Sequence, residues 1–200
     1  AIVICGRASG RDMPGQRRMN GMGFVPEERL GRGAVPRMSL TENALLTAHR
    51  AGMLSHGMIR FERIAAFARK CIDDFNVKCG GENHAANSLS GGNLQKFIMG
   101  REILLAPKLL VVAQPTWGVD VGAAAFIRQR LIDLRDEGTA ILVISEELEE
   151  LFEISDRIAV IANGQLSPAK RLADTSIDEI GIWMSGMWEA PATLEVDAHA

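Results

Sequence analysis

Cysteine is scarce in this sequence, and its spacing excludes two common kinds of crosslink. The 200 residues contain three cysteines, Cys5, Cys71 and Cys79. The number is odd and no C-x-x-C pair is present, so neither a disulfide framework nor a thiol zinc site is indicated. We therefore expect a protein of a reducing, cytosolic compartment, without a bound structural metal.

Long apolar runs and a strong charge bias are missing as well. No segment approaches the roughly 18 apolar residues of a membrane-spanning helix, and residues 1–5 are too short and wrongly flanked for a signal peptide. The formal net charge of -3 argues against a general nucleic-acid-binding protein. The first 37 residues carry seven arginines against three acids, which we interpret as a solvated basic face. We expect a soluble protein with one sizeable core and at most a small second subdomain.

Apolar spacing and turn residues predict that the first half contains a helical block. Strand-like runs at 1–5 and 23–25, separated by glycine-rich turns, indicate the edge of an α/β sheet. Ser39 and Glu42 have the spacing of a capping box, which predicts a helix start. Apolar residues at spacings of three and four predict a helix over 61–75, and another over 90–105, closed by Pro107.

The sequence after Pro107 alternates strands with helices. The apolar runs 109–112 and 140–144 are typical of strands buried on both faces of a parallel sheet, and a helix ending at Gly138 separates them. A short helix over 148–154 and a strand over 158–161 continue the alternation, which predicts a parallel sheet with helices on its faces. Asn163-Gly164 predicts a tight turn, and 177–184 a last helix.

One short segment combines the features of a phosphate-binding loop. In residues 89–96, LSGGNLQK, two glycines follow a serine at a predicted helix start. Gly91 and Gly92 lack the Cβ atoms that would keep a phosphate from the backbone, and Ser90 offers a hydroxyl. The helix start adds free amides and the positive end of the helix dipole. The full string favours a triphosphate site over a plain helix entry.

This segment resembles the LSGGQ signature of ATP-binding cassette (ABC) transporters, with Asn93 in the glutamine position. The resemblance extends over nearly all of 1–187. Residues 109–116 resemble the Walker B strand, 117–120 the D-loop with Asp120, 24–27 the Q-loop entry, and 144–147 the switch region. The combination of VPEER, LSGGN and GVDVGA is similar to the second cassette of tandem-cassette importers for simple sugars and nucleosides.

The resemblance implies an α/β, P-loop NTPase-like ABC nucleotide-binding domain, with a mostly parallel sheet core and an inserted α-helical subdomain. Residues 1–38 would start the α/β core with the Q-loop, and residues 39–100 would form the helical signature subdomain. Residues 101–187 would complete the core with the Walker B strand, D-loop and switch region. We expect residues 188–200 to form a disordered tail, because they show no periodicity.

Several positions depart from the family pattern. Ala113 and Gln114 stand where the family carries the aspartate of the magnesium shell and the glutamate that activates water. Alanine has no ligand atom and an amide accepts no proton, so general-base help of typically ~10²–10⁴ in rate is absent. Glu146 replaces the switch histidine, where its charge repels phosphate unless it points away. Glu27 replaces the Q-loop glutamine. We therefore assign no catalytic residue.

A Walker A loop, G-x-x-x-x-G-K-[ST], is absent from the sequence. The loop needs a Gly-Lys pair, because its lysine reaches the phosphates that the backbone amides cradle. All five lysines of this chain follow another residue: arginine, valine, glutamine, proline or alanine. The family places this loop before the segment that begins at Ala1, which already lies in a strand-like run. We expect a truncated chain or a loop in residues not given.

In the family, two cassettes meet head to tail, and each ATP lies between the Walker A loop of one and the signature of the other. By this resemblance, Ser90, Gly91, Gly92 and Asn93 complete in trans a site whose Walker A loop, Mg²⁺ and catalytic glutamate belong to a partner cassette. Further expected partners are permease subunits and, indirectly, a solute-binding protein, at the inner face of the cell membrane. The implied function is ATP-driven import of a simple sugar or nucleoside, with hydrolysis impaired in this half.

Two alternatives stay open. One is an active ATPase half in which an unusual residue replaces the glutamate. The other is a regulatory ABC-like module without transport, although such modules usually carry coiled coils or added arms, and the interval 43–89 is short for them. Packing is favoured over a partner contact for Trp117, and Arg101 is interpreted as a snorkelling surface residue. We interpret three histidines as surface or satisfied polar residues: His49, His56 and His84.

Overall fold

The structure is a computed structural model that describes residues 2–188. Residues 189–200, nearly all of the expected disordered tail, lie outside the described residues. The chain divides into two compact units, one up to Glu146 and one from Glu147 onward.

The first unit combines short strands with longer helices. Its strands are β1 (Val3–Ile4), β2 (Arg7–Ala8), β3 (Met22–Val25), β4 (Leu54–Ser55), β5 (Met58–Ile59), β6 (Leu109–Ala113) and β7 (Ala140–Ile144). Its α-helices are α1 (Pro14–Met19), α2 (Leu40–Ala48), α3 (Phe61–Asp74), α4 (Gly91–Ile103) and α5 (Val121–Asp136). The predicted helices at 61–75 and 90–105 are thereby confirmed, apart from their last residues.

A three-stranded parallel sheet, in the order β3-β6-β7, lies in the first unit. Val25 lies opposite Val112, and Ala113 lies opposite Ile144. α5 connects β6 to β7, as predicted. The helix begins after Asp120, whose side chain accepts a hydrogen bond from the amide of the third helical residue. Because the three strands are parallel, their carboxyl ends lie at one common edge.

The first strand-like run does not join this sheet. β1 pairs antiparallel with β2 through a turn at Cys5 and Gly6, whose φ angles are 49° and 76°. Two consecutive positive φ angles are what a two-residue hairpin turn requires. The prediction that residues 1–5 form the edge of the α/β sheet is therefore wrong.

The capping box predicted from the sequence is confirmed at the start of α2. The Glu42 amide donates to Ser39 Oγ at 3.1 Å, and the Ser39 amide donates to the Glu42 carboxylate at 2.7 Å. These two bonds satisfy amides that a helix start otherwise leaves without partners. The helix thus begins where the sequence indicates.

Helix α4 lies in the centre of the first unit, where it contacts α2, α3, α5 and β3. Phe97, Ile98 and Met99 are fully buried, and each such side chain contributes about 2 kcal/mol of hydrophobic free energy. Because α4 is held on several sides, its first turn, which contains the LSGGN segment, stands on a rigid support.

The sheet is less enclosed than its apolar runs predict. Leu110 and Val112 of β6 are fully buried, whereas Leu142 and Ile144 of β7 are 52% and 49% exposed. Successive side chains of a strand point to opposite faces. In the described part of the chain, one face of β7 is therefore open to solvent, and the prediction that β7 is buried on both faces is wrong.

The described part of the second unit, up to residue 188, contains two α-helices and two short antiparallel strand pairs. Its elements are α6 (Leu148–Ile154), β8 (Arg157–Ile158), β9 (Ile161–Ala162), β10 (Gln165–Leu166), β11 (Lys170–Arg171) and α7 (Ile177–Met184). The two helices are confirmed predictions. Ile158, Val160 and Ile180 form the buried centre of this unit.

The turn in the second unit corrects one expectation. β9 pairs antiparallel with β10 around Asn163 and Gly164, whose φ angles are 52° and 74°, so the predicted tight turn is confirmed. That turn folds the chain back on itself, and β8 pairs antiparallel with β11. The prediction of a further parallel strand over 158–161 is therefore wrong. Among residues 2–188, no helix combines the length and apolar character that crossing a membrane requires.

Candidate functional site

The common edge of the parallel sheet gathers four of the positions singled out in the sequence. Glu27 follows β3, Ala113 ends β6 and is followed by Gln114, and Glu146 comes shortly after β7. In open parallel sheets, ligands bind beyond the carboxyl ends of the strands. The positions expected to organise a nucleotide site are therefore neighbours in the fold, although their side chains differ from the family pattern.

The backbone at the end of β6 is sharply bent. Gln114 has a φ angle of 49°, and its amide donates to the Ile144 carbonyl at 2.7 Å. The Ser145 hydroxyl lies 3.5 Å from Gln114 Oε1 and donates to it. The bend thus fixes the end of β6 against the end of β7 and presents an amide there in place of a carboxylate.

This edge does not fit a magnesium ion held by the chain itself. Mg²⁺ binds through oxygen ligands, usually including one or two carboxylates, whereas Ala113 provides a methyl group. Glu27 and Glu146 are exposed acids in the segments that follow the flanking strands. Within residues 2–188, no group of three or more histidine, cysteine or acidic side chains is placed to hold a metal ion. We therefore derive no metal-assisted step from these residues.

The first turn of α4 is preorganised by its own side chains. Ser90 is the residue before the helix, and its hydroxyl accepts a hydrogen bond from Asn93 Nδ2 at 2.9 Å. Asn93 Oδ1 in turn accepts the Lys78 amide at 2.8 Å. The Ser90 side chain makes no capping hydrogen bond to the backbone amides of this turn. Those amides remain available to a ligand.

The two glycines allow other segments to approach this turn closely. A Cβ atom on Gly91 would lie 2.9 Å from Arg29 Nη1, and one on Gly92 would lie 3.3 Å from Asp120 Oδ2. The structure therefore brings the LSGGN segment next to the Trp117–Asp120 turn. Free amides, absent Cβ atoms and the positive end of the helix dipole together fit a phosphate group.

Arg29 is a member of this site that the sequence marks only as the last residue of VPEER. Its Nε donates to Gln95 Oε1 at 3.2 Å, and its Nη2 donates to the Trp117 carbonyl. Burial lowers the pKa of the Arg29 guanidinium. Its partners lie 66 and 88 positions along the chain, so no local spacing could have revealed them.

Comparison with known proteins places the chain in a family. No family model matches it. It is 47% identical over 166 residues to the nucleoside import ATP-binding protein NupA of Lactococcus lactis subsp. cremoris (strain MG1363), covering 82% of this chain and 33% of that protein. It is 38% identical over 192 residues to the guanosine import ATP-binding protein NupO of Bacillus subtilis (strain 168), covering 96% of this chain and 38% of that protein. The chain thus spans about a third of the length of the curated relatives it matches.

Solved structures agree on the fold. The ATP-binding cassette MJ0796, in a dimeric post-hydrolysis state with ADP and Pi, matches with a TM-score of 0.70 at 21% identity, over 84% of this chain and 72% of that one. An ATP-binding subunit of an ABC transporter matches with a TM-score of 0.71 at 22% identity, over 92% and 76%. The chain belongs to the ATP-binding cassette family. Its α/β fold with a parallel sheet core is the fold that the signature predicts.

A groove of about 1170 Å³ in the first unit of the cassette reaches several motifs. Glu27 of the Q-loop position, Gly91 of the signature, Ala113 of the Walker B strand and Trp117 of the D-loop all line it. Trp117 is 60% exposed, so the preference for a packing role is wrong. Its carbonyl holds Arg29, while its ring stays in solvent.

Arg101 of the signature helix is buried, not a snorkelling surface residue as interpreted from the sequence. It is 3% exposed and donates to the Gly33 carbonyl at 2.9 Å, the Asn43 carbonyl at 3.2 Å and the Glu102 carboxylate at 3.2 Å. Burial lowers the pKa of Arg101, and the Glu102 charge opposes that shift. Glu102 also pairs with Arg18 at 2.6 Å. The network fastens α1 and α2 to α4 of the cassette.

The histidines lie in local contacts, which confirms their interpretation as surface or satisfied residues. The His49 ring contacts the Leu46 carbonyl at 3.2 Å, and the His56 ring contacts the Ser55 hydroxyl at 3.1 Å. His84 is exposed. None of these contacts involves a signature or Walker B residue of the cassette.

Proposed function

We propose that this chain is part of the ATP-binding subunit of an ABC importer and supplies its signature to an ATP site completed by a partner cassette. In this arrangement, Ser90, Gly91, Gly92 and Asn93 contact the phosphates of an ATP that the Walker A loop of the partner holds. The Mg²⁺ ion and the water-activating carboxylate come from the partner. The site at the sheet edge of this chain, around Ala113 and Gln114, does not hydrolyse ATP at a normal rate.

One observation carries the proposal: a phosphate-accepting helix start and a strand end without acids occur in the same cassette. The Ser90 side chain does not cap the amides at Gly91 and Gly92, and a phosphate ligand requires such uncapped amides. The end of β6 presents a methyl and an amide, so neither a carboxylate ligand for a metal nor a proton acceptor is present there. A cassette of this kind can bind the ATP held by a partner without hydrolysing ATP at its own sheet edge.

The names of the relatives support a proposal for the solute class. NupA and NupO are named as nucleoside and guanosine import proteins, and a third relative, at 35% identity over 83% of this chain, is the ribose import protein RbsA of Lactococcus lactis subsp. lactis (strain IL1403). We infer a nucleoside or simple sugar as the solute. The chain then works at the cytoplasmic face of the membrane, bound to permease subunits that receive solute from a binding protein.

The decisive variant is Ser90→Arg, introduced into the full-length protein that contains this chain and assembled with its permease in liposomes. An arginine here fills the space in front of the Gly91 and Gly92 amides, so ATP turnover should fall to background. The matched control is Ser55→Arg on the β4–β5 hairpin, which should leave turnover unchanged. Normal ATPase activity of the Ser90→Arg transporter would refute the proposal.

A second measurement uses the 200-residue chain alone. Because a helix start without a Walker A loop offers few of the contacts that a triphosphate needs, titration with ATP in a calorimeter should detect no micromolar binding. Micromolar affinity would show that the chain holds nucleotide without a partner.

The inactive sheet edge is tested by the double variant Ala113→Asp, Gln114→Glu in the same transporter. The two carboxylates should raise the maximal ATPase rate if ATP hydrolysis at this edge is slow because it lacks acidic side chains. No gain would favour the alternative in which another residue already performs their role.

A further inference from the structure

Arg29 joins three segments that the sequence separates widely. Its guanidinium donates from Nε to Gln95 of the signature helix and from Nη2 to the Trp117 carbonyl of the D-loop. Gln95 completes the link, because its Nε2 donates to the Pro115 carbonyl at 2.9 Å. One side chain of the loop after β3 thus holds α4 and the turn after β6 in a single hydrogen-bonded arrangement.

The geometry of this link depends on the shape of the guanidinium. Two donors at the fixed angle of its planar fork reach two acceptors on different segments. Gln95 is 1% exposed, and both ends of its amide are used, so its orientation is determined. Arg29 Nη1 lies against Gly91, where a Cβ atom would approach it to 2.9 Å. The guanidinium therefore fills the space beside Gly91, which a side chain at that position would need.

The charge of Arg29 is not matched by a neighbouring acid. Glu28, the adjacent residue, pairs instead with Arg32 at 2.9 Å, and within the described residues both hydrogen bonds of Arg29 go to neutral oxygens. A partly buried cation without an ion pair is maintained at an energetic cost. The two hydrogen bonds of Arg29 therefore join helix α4 to the turn after β6 and do not neutralise its charge.

We propose that Arg29 is a positioning residue of the ATP site, which with Gln95 holds the signature turn against the Pro115–Gly118 turn. The arrangement sets the direction in which the Gly91 and Gly92 amides face the phosphates. The inference rests on the proposed function, because it concerns the same site. It adds a residue outside the signature, Walker and D-loop motifs to the parts that determine turnover.

The expected defect is in rate rather than in nucleotide affinity. The Walker A loop of the partner supplies most contacts to ground-state ATP, so KM is insensitive to a small displacement of the signature. A misplacement of about 1 Å costs on the order of 10²-fold in rate where donors must meet a transition state. Loss of the Arg29 link should therefore lower kcat.

The experiment compares variants of the full-length protein, assembled with its permease in liposomes, by steady-state ATPase kinetics. Arg29→Gln should lower kcat by about tenfold or more while KM changes by less than about threefold. Arg29→Lys should be as slow as Arg29→Gln, because an ammonium cannot reach both acceptors with the fork geometry. The matched control is Arg32→Gln, three residues along the same loop and exposed, which should have wild-type kinetics.

A double-mutant cycle tests the link itself. Gln95→Met removes the shared amide at similar volume, and it should lower kcat as Arg29→Gln does. The variant carrying both changes should be no slower than the slower single variant, because both break one unit. Additive losses of kcat would overturn the proposal.

Two further results would also overturn it. Wild-type kcat in Arg29→Lys would show that only the charge matters, and a raised KM with unchanged kcat in Arg29→Gln would make Arg29 a direct ATP ligand. Melting temperatures of the same chains separate a folding defect from misplacement of the signature turn. A lower kcat of Arg29→Lys indicates misplacement if the melting temperature of this variant stays close to that of the wild type. Ser90→Arg in the same assay separates the two proposals: if only Ser90→Arg loses turnover, the function stands and the positioning role fails.

Discussion

Gly100 in the middle of helix α4 lies against the ring of Phe75. A Cβ atom on Gly100 would lie 2.6 Å from Cδ2 and 2.8 Å from Cγ of that ring. The ring has little freedom to move away: it packs edge to face with Phe126 at a centroid distance of 6.0 Å, and the Arg130 guanidinium lies 5.4 Å from its centre. Gly100→Ala therefore forces helix α4 or the aromatic pair to shift.

The magnitude follows from three contributions. Overpacking a core costs about 1–3 kcal/mol, and disturbing the aromatic pair costs about 0.5–1.5 kcal/mol more. The better helix propensity of alanine offsets about 1 kcal/mol. We expect Gly100→Ala to lower the free energy of unfolding by about 2 kcal/mol, which in a chain of this length lowers the melting temperature by about 4–8 °C.

Gly181 in helix α7 provides the matched control, because the same substitution there should have the opposite sign. A Cβ atom on Gly181 meets nothing within 4 Å, so Gly181→Ala gains helix propensity without a clash. We expect a stabilisation of about 0.5–1 kcal/mol. The two glycines lie in different compact units, and hydrogen exchange in urea, followed separately in α4 and α7, assigns each change to its unit.

The outcome that refutes this reasoning is an unchanged or increased stability of Gly100→Ala. A third variant sharpens the test. Phe75→Leu combined with Gly100→Ala should recover part of the stability that Gly100→Ala loses. The smaller leucine side chain frees the space of the ring, which the new methyl group can then occupy. Strictly additive losses would mean that the contact between residues 75 and 100 is not the cause.

Three further predictions concern stability and reactivity. Arg101→Met should destabilise the chain by about 3 kcal/mol in urea unfolding, since Glu102 stays buried with one partner fewer, and a loss below about 1 kcal/mol would contradict the network. Burial raises the pKa of Cys71 to about 12, so a thiol reagent at pH 8 should label the exposed Cys5 long before Cys71, and equal rates would argue against that burial. Hydrogen bonds from the Ser39 amide and hydroxyl lower the pKa of Glu42, so the stability it contributes is present above its unfolded pKa of about 4.3 and is lost as the pH falls through the lower folded value. Glu42→Gln should remove this part of the acid sensitivity in thermal melts between pH 3 and 6, and identical pH profiles would contradict it.

Local sequence determined much of the fold because its signals act over a few residues. The capping box at Ser39, the Asn163-Gly164 turn and the apolar spacing of α3 each involve neighbours in the chain. The LSGGN segment likewise carries its phosphate-binding features within five residues. The capping box, the turn and helix α3 are confirmed by the structure, apart from the last residue of the helix, while the phosphate-binding role of the LSGGN segment stays a prediction.

Long-distance contacts account for what the sequence could not indicate. Arg101 has the spacing of a surface residue, yet its partners lie in segments up to 68 positions away. Arg29 stands in a loop without periodicity, and only the folded arrangement brings it to Gln95. The exposed face of β7 is a similar case. The sequence shows that the strand is apolar, but it does not show which segments pack against each face.

The bend at Gln114 has a consequence for how the catalytic capacity of such a cassette changes over time. Its left-handed backbone and its bond to the Ile144 carbonyl are in place, so the scaffold that would present two carboxylates at the sheet edge is complete. Only the ends of two side chains, at Ala113 and Gln114, separate this edge from an acidic one. Substitutions at these two positions can therefore change the chemistry of the edge while the backbone bend stays the same.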